Sequence, residues 1–269
     1  MIKNALKQKW AAGQATINGW CSIGASFTAE IMAAQGYDSV TVDVQHGALD
    51  YSDLLPMFQA MRGSGAVLMA RVSWLEPGII MKCLDAGAYG IICPMIGTAA
   101  QAAEFVSYVR YPPLGQRSFG PTRVSFAAGA NYAGEANGEI LAFAMIETAE
   151  GMENLEAIAA VPGLDGIYVG PADLTLSLTQ GRLAPGFDRE EPEMIAALQR
   201  IVAVCKAAGL RAGLHCGTPD YAARAISWGY DMTTVSGDAR LLAAAAGASV
   251  ARFRELTAQR TNGVEKGGY

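Results

Sequence analysis

Short apolar runs rich in β-branched residues alternate with amphipathic, alanine-rich stretches along most of the chain. The runs have the length of buried strands, and the stretches between them place apolar residues at helical spacing. This pattern predicts eight strands, at Thr16–Ile23, Ser39–Asp43, Ala66–Val72, Gly90–Met95, Ile140–Glu147, Gly166–Gly170, Arg211–Cys216 and Asp231–Gly237. Eight strands with helical connections indicate parallel pairing and closure into an α/β fold, the (β/α)8 TIM barrel. A doubly wound open sheet is the alternative.

The chain length and the connections favour one regular domain. A chain of 269 residues matches a single barrel, and no linker or low-complexity segment divides it, so residues 1–269 are predicted to form one domain. Glycines precede several strands, as left-handed helix caps do; they are Gly36, Gly87, Gly163, Gly209 and Gly229. The stretch from Tyr111 to about Glu139 has no clear period and exceeds the usual connection length. We expect it to serve function or a subunit interface.

Composition narrows the functional class. With 51% hydrophobic residues and a net charge of -5, the chain can bury a large core but has no basic cluster for nucleic acid or an anionic membrane. Its five cysteines have no C-x-x-C spacing, which argues against a disulfide framework or structural zinc. No signal-like segment and no apolar run of membrane-spanning length occur. These features predict a soluble cytoplasmic protein with no nucleic-acid or membrane partner.

Polar side chains are concentrated where the predicted strands end. Parallel barrels bind their substrates at the C-terminal ends of their strands, so residues distant in sequence meet there. The candidates are Asp43 and His46 after the second strand, Arg71 after the third, Glu147 after the fifth, Asp173 after the sixth, His215 on the seventh and Ser236 after the eighth. Their convergence predicts an active site.

Two of these residues are candidate metal ligands. Glu147 and Asp173 supply hard carboxylate oxygens from neighbouring strand ends, which suits an octahedral divalent cation that keeps positions for water and substrate. Closed tetrahedral zinc is disfavoured because no further Cys or His stands at suitable spacing. In "GPAD", the N–H groups of Ala172 and Asp173 can bind an anion at a helix start. The alternative is that each acid only caps the following helix.

Arg71 and His46 are candidates for the chemistry. A buried arginine needs a charged partner, so Arg71 either pairs with Glu147 or Asp173 or stabilises an enolate oxygen. His46 either has no special role or is a general base whose imidazole Asp43 orients. His215 is interpreted as structural. A Schiff-base mechanism is not indicated, because all lysines lie in the termini or on predicted helices, at Lys3, Lys7, Lys9, Lys82, Lys206 and Lys266.

Several segments together resemble a known family. In order, the chain contains VDVQHG, MARVSW, IICPMI, RYPPLGQRSFGPTR, MIETAEGMENLEAIAAVPGLDGIYVGPADL and AGLHCGTPDYAARAISWGYDMTTVSGDARLL. They resemble the HpcH/HpaI aldolase family over nearly the whole chain, with 4-hydroxy-2-oxoheptane-1,7-dioate aldolases as the expected relatives. The resemblance implies a class II pyruvate aldolase of aromatic catabolism that uses Mg²⁺, Mn²⁺ or Co²⁺ and acts on pyruvate and an aldehyde. It also implies a homo-oligomer, a hexamer with exchanged C-terminal helices, which would involve Leu241–Leu256.

The resemblance also assigns roles to residues. It places the metal on Glu147 and Asp173, the enolate-stabilising arginine on Arg71 and the base on His46. It credits Asp85 with raising the basicity of that histidine, although Asp85 is predicted at the end of a helix on the opposite side of the barrel, where Asp43 is the nearer candidate. Predicted substrate contacts are Arg71, Gly170, Ala172, Asp173 and Leu214. Met145 and Gln45 depart from residues common in relatives, which leaves the second substrate open.

Two other functions remain possible from the sequence. One is a malyl- or citramalyl-CoA-type lyase of the same superfamily, which would need a basic groove for coenzyme A. The other is a catalytically silent barrel that binds a small acid. The combination of candidate acids, base and arginine favours the aldolase.

Overall fold

The computed structural model describes residues 1–264, with side chains described to residue 258, and it is a closed barrel of eight parallel strands. The strands are β1 (Thr16–Cys21), β2 (Ser39–Asp43), β3 (Val67–Arg71), β4 (Gly90–Cys93), β5 (Leu141–Ile146), β6 (Gly166–Val169), β7 (Arg211–Cys216) and β8 (Met232–Val235). Each strand pairs with the next, and β1 pairs with β8, where Thr16 aligns with Met232. The predicted barrel is confirmed. Several strands end one or two residues earlier than predicted.

Thirteen helices are described in this part of the chain. They are α1 (Ala5–Ala11), α2 (Ser26–Ala33), α3 (Tyr51–Ala60), α4 (Pro77–Ala86), α5 (Ala99–Val109), α6 (Arg123–Ala127), α7 (Tyr132–Glu139), α8 (Ala149–Glu153), α9 (Leu155–Ala159), α10 (Pro171–Leu178), α11 (Pro192–Ala208), α12 (Pro219–Trp228) and α13 (Asp238–Val264). All five glycines predicted as caps have positive φ, and Gly87, Gly209 and Gly229 are the C-caps of α4, α11 and α12. Left-handed backbone favours glycine there because it has no Cβ.

The core has two layers, because alternate side chains of a strand face opposite sides of the sheet. Along β5, Leu141, Phe143 and Met145 belong to the cluster inside the barrel. The intervening Ala142 and Ala144 belong to the larger cluster between the barrel and its helices. Leu6 and Trp10 of α1 join the inner cluster, so α1 closes the barrel at the N-terminal ends of the strands. Helix α1 thus covers the barrel interior at that end, and the site is sought at the C-terminal ends of the strands.

The stretch from Tyr111 to Glu139 contains α6 and α7 and packs beside the chain's N-terminus. Its anchor is Arg117, whose guanidinium pairs with Asp85 at 2.6 Å and lies over the rings of Tyr111 and Tyr132. Three large apolar side chains of this stretch are exposed, namely Leu114, Phe119 and Phe126. Its expected role in function or an interface stays a prediction.

Helix α13 differs from the other helices, because its described side chains from Ala239 onward are exposed. Its apolar residues include Leu241, Leu242, Val250, Phe253 and Leu256. Among the residues that the structure describes, no helix combines the length and apolar character that a membrane crossing requires.

Candidate active site

A pocket of about 350 Å³ opens at the C-terminal ends of the strands. Most of the predicted site residues line it, and these are Asp43, His46, Arg71, Gly170, Ala172, Asp173, His215 and Ser236. Because all strands run in one direction, residues that are up to 193 positions apart in sequence, such as Asp43 and Ser236, reach one rim. The fold thus brings the predicted residues together.

Arg71 is held by Asp43 on the neighbouring strand. These residues are register partners between β2 and β3, and the Arg71 Nε donates to the Asp43 carboxylate at 2.8 Å while a second guanidinium nitrogen donates to its other oxygen. The Trp20 indole N–H donates to the same carboxylate at 3.2 Å. Burial alone would raise the pKa of Asp43, but its contacts with Arg71 outweigh burial and lower that pKa. The expected pairing of Arg71 with Glu147 or Asp173 is therefore replaced by a pair with Asp43.

His46 lies at the exposed rim of the pocket. Its main-chain N–H donates to Asp43 at 3.2 Å, as does that of Gln45 at 3.1 Å. Among the described residues, the hydrogen bonds of the Asp43 carboxylate come from these two amides, Arg71 and Trp20, and none comes from the imidazole. Asp43 therefore positions the backbone of His46, which differs from the expected orientation of its ring.

Asp85 lies in the last turn of α4, away from this pocket. Helices in the barrel run opposite to the strands, so the end of α4 is near the N-terminal ends of the strands. There Asp85 pairs with Arg117. Within the described residues of one chain, neither candidate carboxylate is bonded to the imidazole of His46, because Asp43 is occupied by Arg71 and Asp85 by Arg117.

Glu147 is buried at the end of β5. One of its oxygens accepts from the main-chain N–H of Met95 at 2.9 Å, and Met95 has a left-handed backbone with φ of 58°. The other oxygen faces Gly170, where an added Cβ would lie only 2.3 Å away. Burial raises the pKa of Glu147 to about 7, the nearby charge of Asp173 adds to the rise, and the Met95 amide and Arg71 oppose it.

Asp173 and Ala172 lie in the first turn of α10, which begins at Pro171 after Gly170. The N–H groups of a first helical turn have no partner within the helix and attract anions. Because Gly170 has no side chain, the carboxylate of Glu147 can lie close to this turn. Asp173 and the start of α10 line the pocket, whereas the Glu147 carboxylate is buried next to Gly170 and is not part of the pocket surface. Two carboxylates and the N–H groups of a helix start thus lie close together.

These residues fit a divalent cation. Two like charges stand close together, one of them in a buried group whose pKa is raised, so a cation between them would remove an unfavourable interaction. In the described part of the chain, no group of three or more His, Cys, Asp and Glu side chains could hold a metal. A cation here would therefore take two carboxylates from the chain and its other ligands from water and substrate.

One wall of the pocket is a series of rings that the sequence only partly indicated. The ring of His215 meets Trp20 edge-on at 4.9 Å and stacks on Phe187 at 4.7 Å. Burial lowers the pKa of His215 to about 3, and the charge of Arg71 adds to this, so the ring is neutral. The ring faces the pocket, and the interpretation of His215 as structural stays a prediction. Trp20 was recognisable as the last inward side chain of β1, whereas Phe187 and Arg240 come from a loop and from α13.

Leu214 and Ser236 were both predicted near the site, but they lie in different places. Leu214 is fully buried in the layer between barrel and helices, so its side chain does not reach the pocket, and the expected substrate contact of that side chain is not seen. Its neighbour His215 faces the pocket instead, because adjacent strand residues face opposite sides. Ser236 lines the pocket with a left-handed backbone, φ of 59°. None of the described lysines lines the pocket, and Lys266 lies outside the described residues.

Comparison with known proteins adds three findings. The family model described as HpcH/HpaI aldolase/citrate lyase matches residues 20–245. The chain is 38% identical over 253 residues to the hydroxypyruvate/pyruvate aldolase of Rhizorhabdus wittichii, covering 94% of this chain and 100% of that protein. It is 34% identical over 240 residues to a 5-keto-4-deoxy-D-glucarate aldolase of Klebsiella pneumoniae, covering 88% and 92%.

A solved structure is similar over the whole barrel. The HpcH/HpaI aldolase/citrate lyase family protein from Burkholderia cenocepacia superposes with a TM-score of 0.86 at 31% identity, covering 94% of this chain and 100% of that chain. The similarity to each of these proteins thus extends over nearly the full length of both chains.

Proposed function

Because this chain belongs to the HpcH/HpaI aldolase/citrate lyase family and is therefore a carbon–carbon lyase of the pyruvate aldolase type, we propose that it is a metal-dependent class II aldolase. Its substrates are 4-hydroxy-2-oxoacids, such as 4-hydroxy-2-oxoheptane-1,7-dioate, which it cleaves reversibly to pyruvate and an aldehyde. The observation that carries the proposal is one pocket that Arg71, fixed by Asp43, lines together with Asp173, with the buried carboxylate of Glu147 next to Gly170 at its edge.

Glu147 and Asp173 would hold a divalent cation, Mg²⁺, Mn²⁺ or Co²⁺, which when bound supplies Lewis acidity toward the 2-oxo group. Backbone groups of the chain bind the other end of the pyruvate part of the substrate. The N–H groups of Ala172 and Asp173 at the start of α10 bind the substrate carboxylate. Gly170 leaves the space that this approach requires.

Arg71 and His46 divide the chemistry between them. His46 at the rim removes the proton of the 4-hydroxyl group, and the C3–C4 bond breaks as the aldehyde carbonyl forms. The electron pair of that bond moves to C3 and the 2-oxo oxygen, giving the enolate of pyruvate. Arg71, fixed by two bonds to Asp43, faces the oxygen that gains charge. Protonation at C3 then releases pyruvate.

One assay tests this function. Pyruvate release is measured for a panel of 4-hydroxy-2-oxoacids with chelator and with added Mg²⁺, Mn²⁺ or Co²⁺. We expect release only with metal. Release from malyl- or citramalyl-CoA in place of the free acids would favour the thioester lyase, and turnover undiminished by chelator would contradict a metal-dependent enzyme. Calorimetric titration of Mn²⁺ into Glu147→Gln, compared with the wild type, checks the ligand assignment without an activity readout.

We further propose a single domain over residues 1–269 and a homo-oligomer, a hexamer, in which α13 docks on another copy. The exposed Leu242 and Phe253 of α13 support this, because large apolar side chains are normally covered. A molar mass of one chain by light scattering would contradict it. All five cysteines are free and buried, which fits the cytoplasmic location that we also propose.

A further inference from the structure

The ring wall of the pocket has an arginine at each end. Arg71 lies over the Trp20 ring at 4.9 Å, and Trp20 contacts His215. His215 in turn stacks on Phe187, and the Arg240 guanidinium lies over the Phe187 ring at 5.0 Å. All five side chains line the same pocket. A continuous apolar surface therefore connects two cationic groups.

The two arginines differ in how their charges are matched. Arg71 is buried and paired with the carboxylate of Asp43. Arg240 stands in the first turn of α13 and forms no ion pair with any carboxylate among the described side chains. The nearest acid in sequence, Asp238, is occupied by the main-chain N–H groups of Ser22 and Ile23. Arg240 thus presents an unmatched positive charge to the pocket.

The positions of the proposed pyruvate-binding residues indicate which part of a substrate lies near the charge of Arg240. The proposed pyruvate end lies at Glu147, Asp173 and the start of α10, on the β5 and β6 side. Arg240 follows β8, which is separated from β6 by one strand, β7, around the barrel. A substrate held at the pyruvate end extends along the rings, so its aldehyde half is the part that approaches Arg240.

We propose that Arg240 determines specificity for an aldehyde half that carries a terminal carboxylate. This inference rests on the proposed aldolase function and adds the residue that recognises the far carboxylate of a substrate such as 4-hydroxy-2-oxoheptane-1,7-dioate, whose aldehyde half is an ω-carboxy aldehyde. The apolar rings of His215 and Phe187 contact the methylene groups between the two ends. The planar guanidinium matches a carboxylate through two parallel hydrogen bonds, which gives the recognition its geometry.

The test compares two aldehydes that differ only in the terminal group. Succinic semialdehyde and butanal have the same number of carbons, and each is condensed with pyruvate in the presence of Mg²⁺ by wild type, Arg240→Met and Arg62→Met. Methionine keeps an unbranched apolar stem and removes the charge. Arg62 is a matched control, because it is exposed in the turn before β3, at the opposite end of the barrel.

The measured quantity is the ratio of kcat/KM for succinic semialdehyde to kcat/KM for butanal. We expect this ratio to fall roughly ten- to a hundredfold in Arg240→Met, the scale of losing a hydrogen bond to a charged group, and to stay within about twofold of wild type in Arg62→Met. A ratio in Arg240→Met within about twofold of wild type would overturn the inference and leave the aldolase function standing. No condensation by the wild-type enzyme with any aldehyde would overturn the function, and the inference with it.

The wild-type enzyme gives a second test that needs no folded variant. Because Arg240 is exposed, its attraction for an anion is screened by salt. We expect added NaCl to lower kcat/KM for succinic semialdehyde by at least about threefold more than kcat/KM for butanal. Equal salt sensitivity of the two aldehydes would overturn the inference.

Discussion

The chain contains two arginine–aspartate pairs of similar chemistry in very different places, each with a buried arginine. Arg71 pairs with Asp43, and Arg117 pairs with Asp85 at 2.6 Å. Each arginine also lies over an aromatic ring, that of Trp20 for Arg71 and that of Tyr111 for Arg117. By residue type alone the two clusters are nearly equivalent.

Their surroundings distinguish them. Arg71 ends a barrel strand, lines the pocket and opposes the rise that burial causes in the pKa of the nearby Glu147. Arg117 joins an irregular stretch to the last turn of α4, and its Nε is buried without a hydrogen-bond partner among the described residues. The same type of pair therefore holds a guanidinium at the pocket in one place and anchors an irregular stretch in the other. Location at a strand end, and not pairing chemistry, distinguishes the pair that lines the pocket.

The largest effect that separates the two regions is expected at His46. If His46 is the base whose backbone Asp43 positions, His46→Ala should lower kcat/KM for cleavage by about two to four decades, the usual contribution of positioned acid–base catalysis. Steady-state kinetics measure this, and an unchanged thermal melting temperature serves as the control. Near-wild-type cleavage would remove His46 from the mechanism.

Arg71 should come next. Arg71→Ala is expected to lower kcat by about two to three decades, the scale of losing one donor that stabilises charge in the transition state. Arg71→Lys should restore only part of this, because an ammonium group cannot reproduce the planar fork. Exchange of the pyruvate methyl protons in D2O gives an independent measure. Wild-type exchange in Arg71→Ala would make Arg71 a structural residue like Arg117.

Arg117 should affect stability. Arg117→Met leaves Asp85 without its partner, and breaking a buried pair costs about 3 to 5 kcal/mol when both groups are fully buried. Asp85 is 25% exposed, so we expect a smaller loss in the free energy of unfolding, about 2 to 3 kcal/mol. Urea denaturation measures it. A loss below about 0.5 kcal/mol would show that this pair does not anchor the loop.

The two aspartates sharpen the comparison further. Asp43→Asn removes the charge that holds Arg71, so activity should fall at least about tenfold, as expected for loss of a charged hydrogen bond. Asp85→Asn should cost less activity, because Asp85 is bonded to Arg117 and lies away from the pocket. Values of kcat/KM for the two variants, measured at several pH values, show which aspartate the activity depends on more. A larger loss or pH shift in Asp85→Asn would place Asp85 at a catalytic site and end the contrast.

An effect of a different kind is the dependence of stability on pH through His215. Its pKa is lowered to about 3 in the folded protein, so between pH 6.5 and 3 the unfolded chain binds more protons. The free energy of unfolding should therefore fall as the pH falls below about 6.5, by at most about 1.4 kcal/mol per pH unit from this group. Chemical denaturation across this range should give a shallower dependence in His215→Asn. An equal pH dependence of the free energy of unfolding in the wild type and in His215→Asn would show that the ring is not held neutral.

The sequence predicted the barrel, because strand and helix periodicities are local and parallel strands with helical connections have few ways to close. It also predicted which polar residues share the pocket, from Asp43 to Ser236, because one rule places every strand end on the same face. The same rule placed the carboxylates of Glu147 and Asp173 near each other at neighbouring strand ends.

Only the tertiary structure decided which of these residues contact each other. Strand register places Asp43 beside Arg71, and the irregular stretch brings Arg117 to Asp85. Both faces of a barrel strand are apolar, so the sequence could not show that Leu214 faces the helices. Arg240 reaches the pocket from a helix far along the chain. Such contacts join residues with no local pattern between them, and they are fixed only when the whole barrel closes.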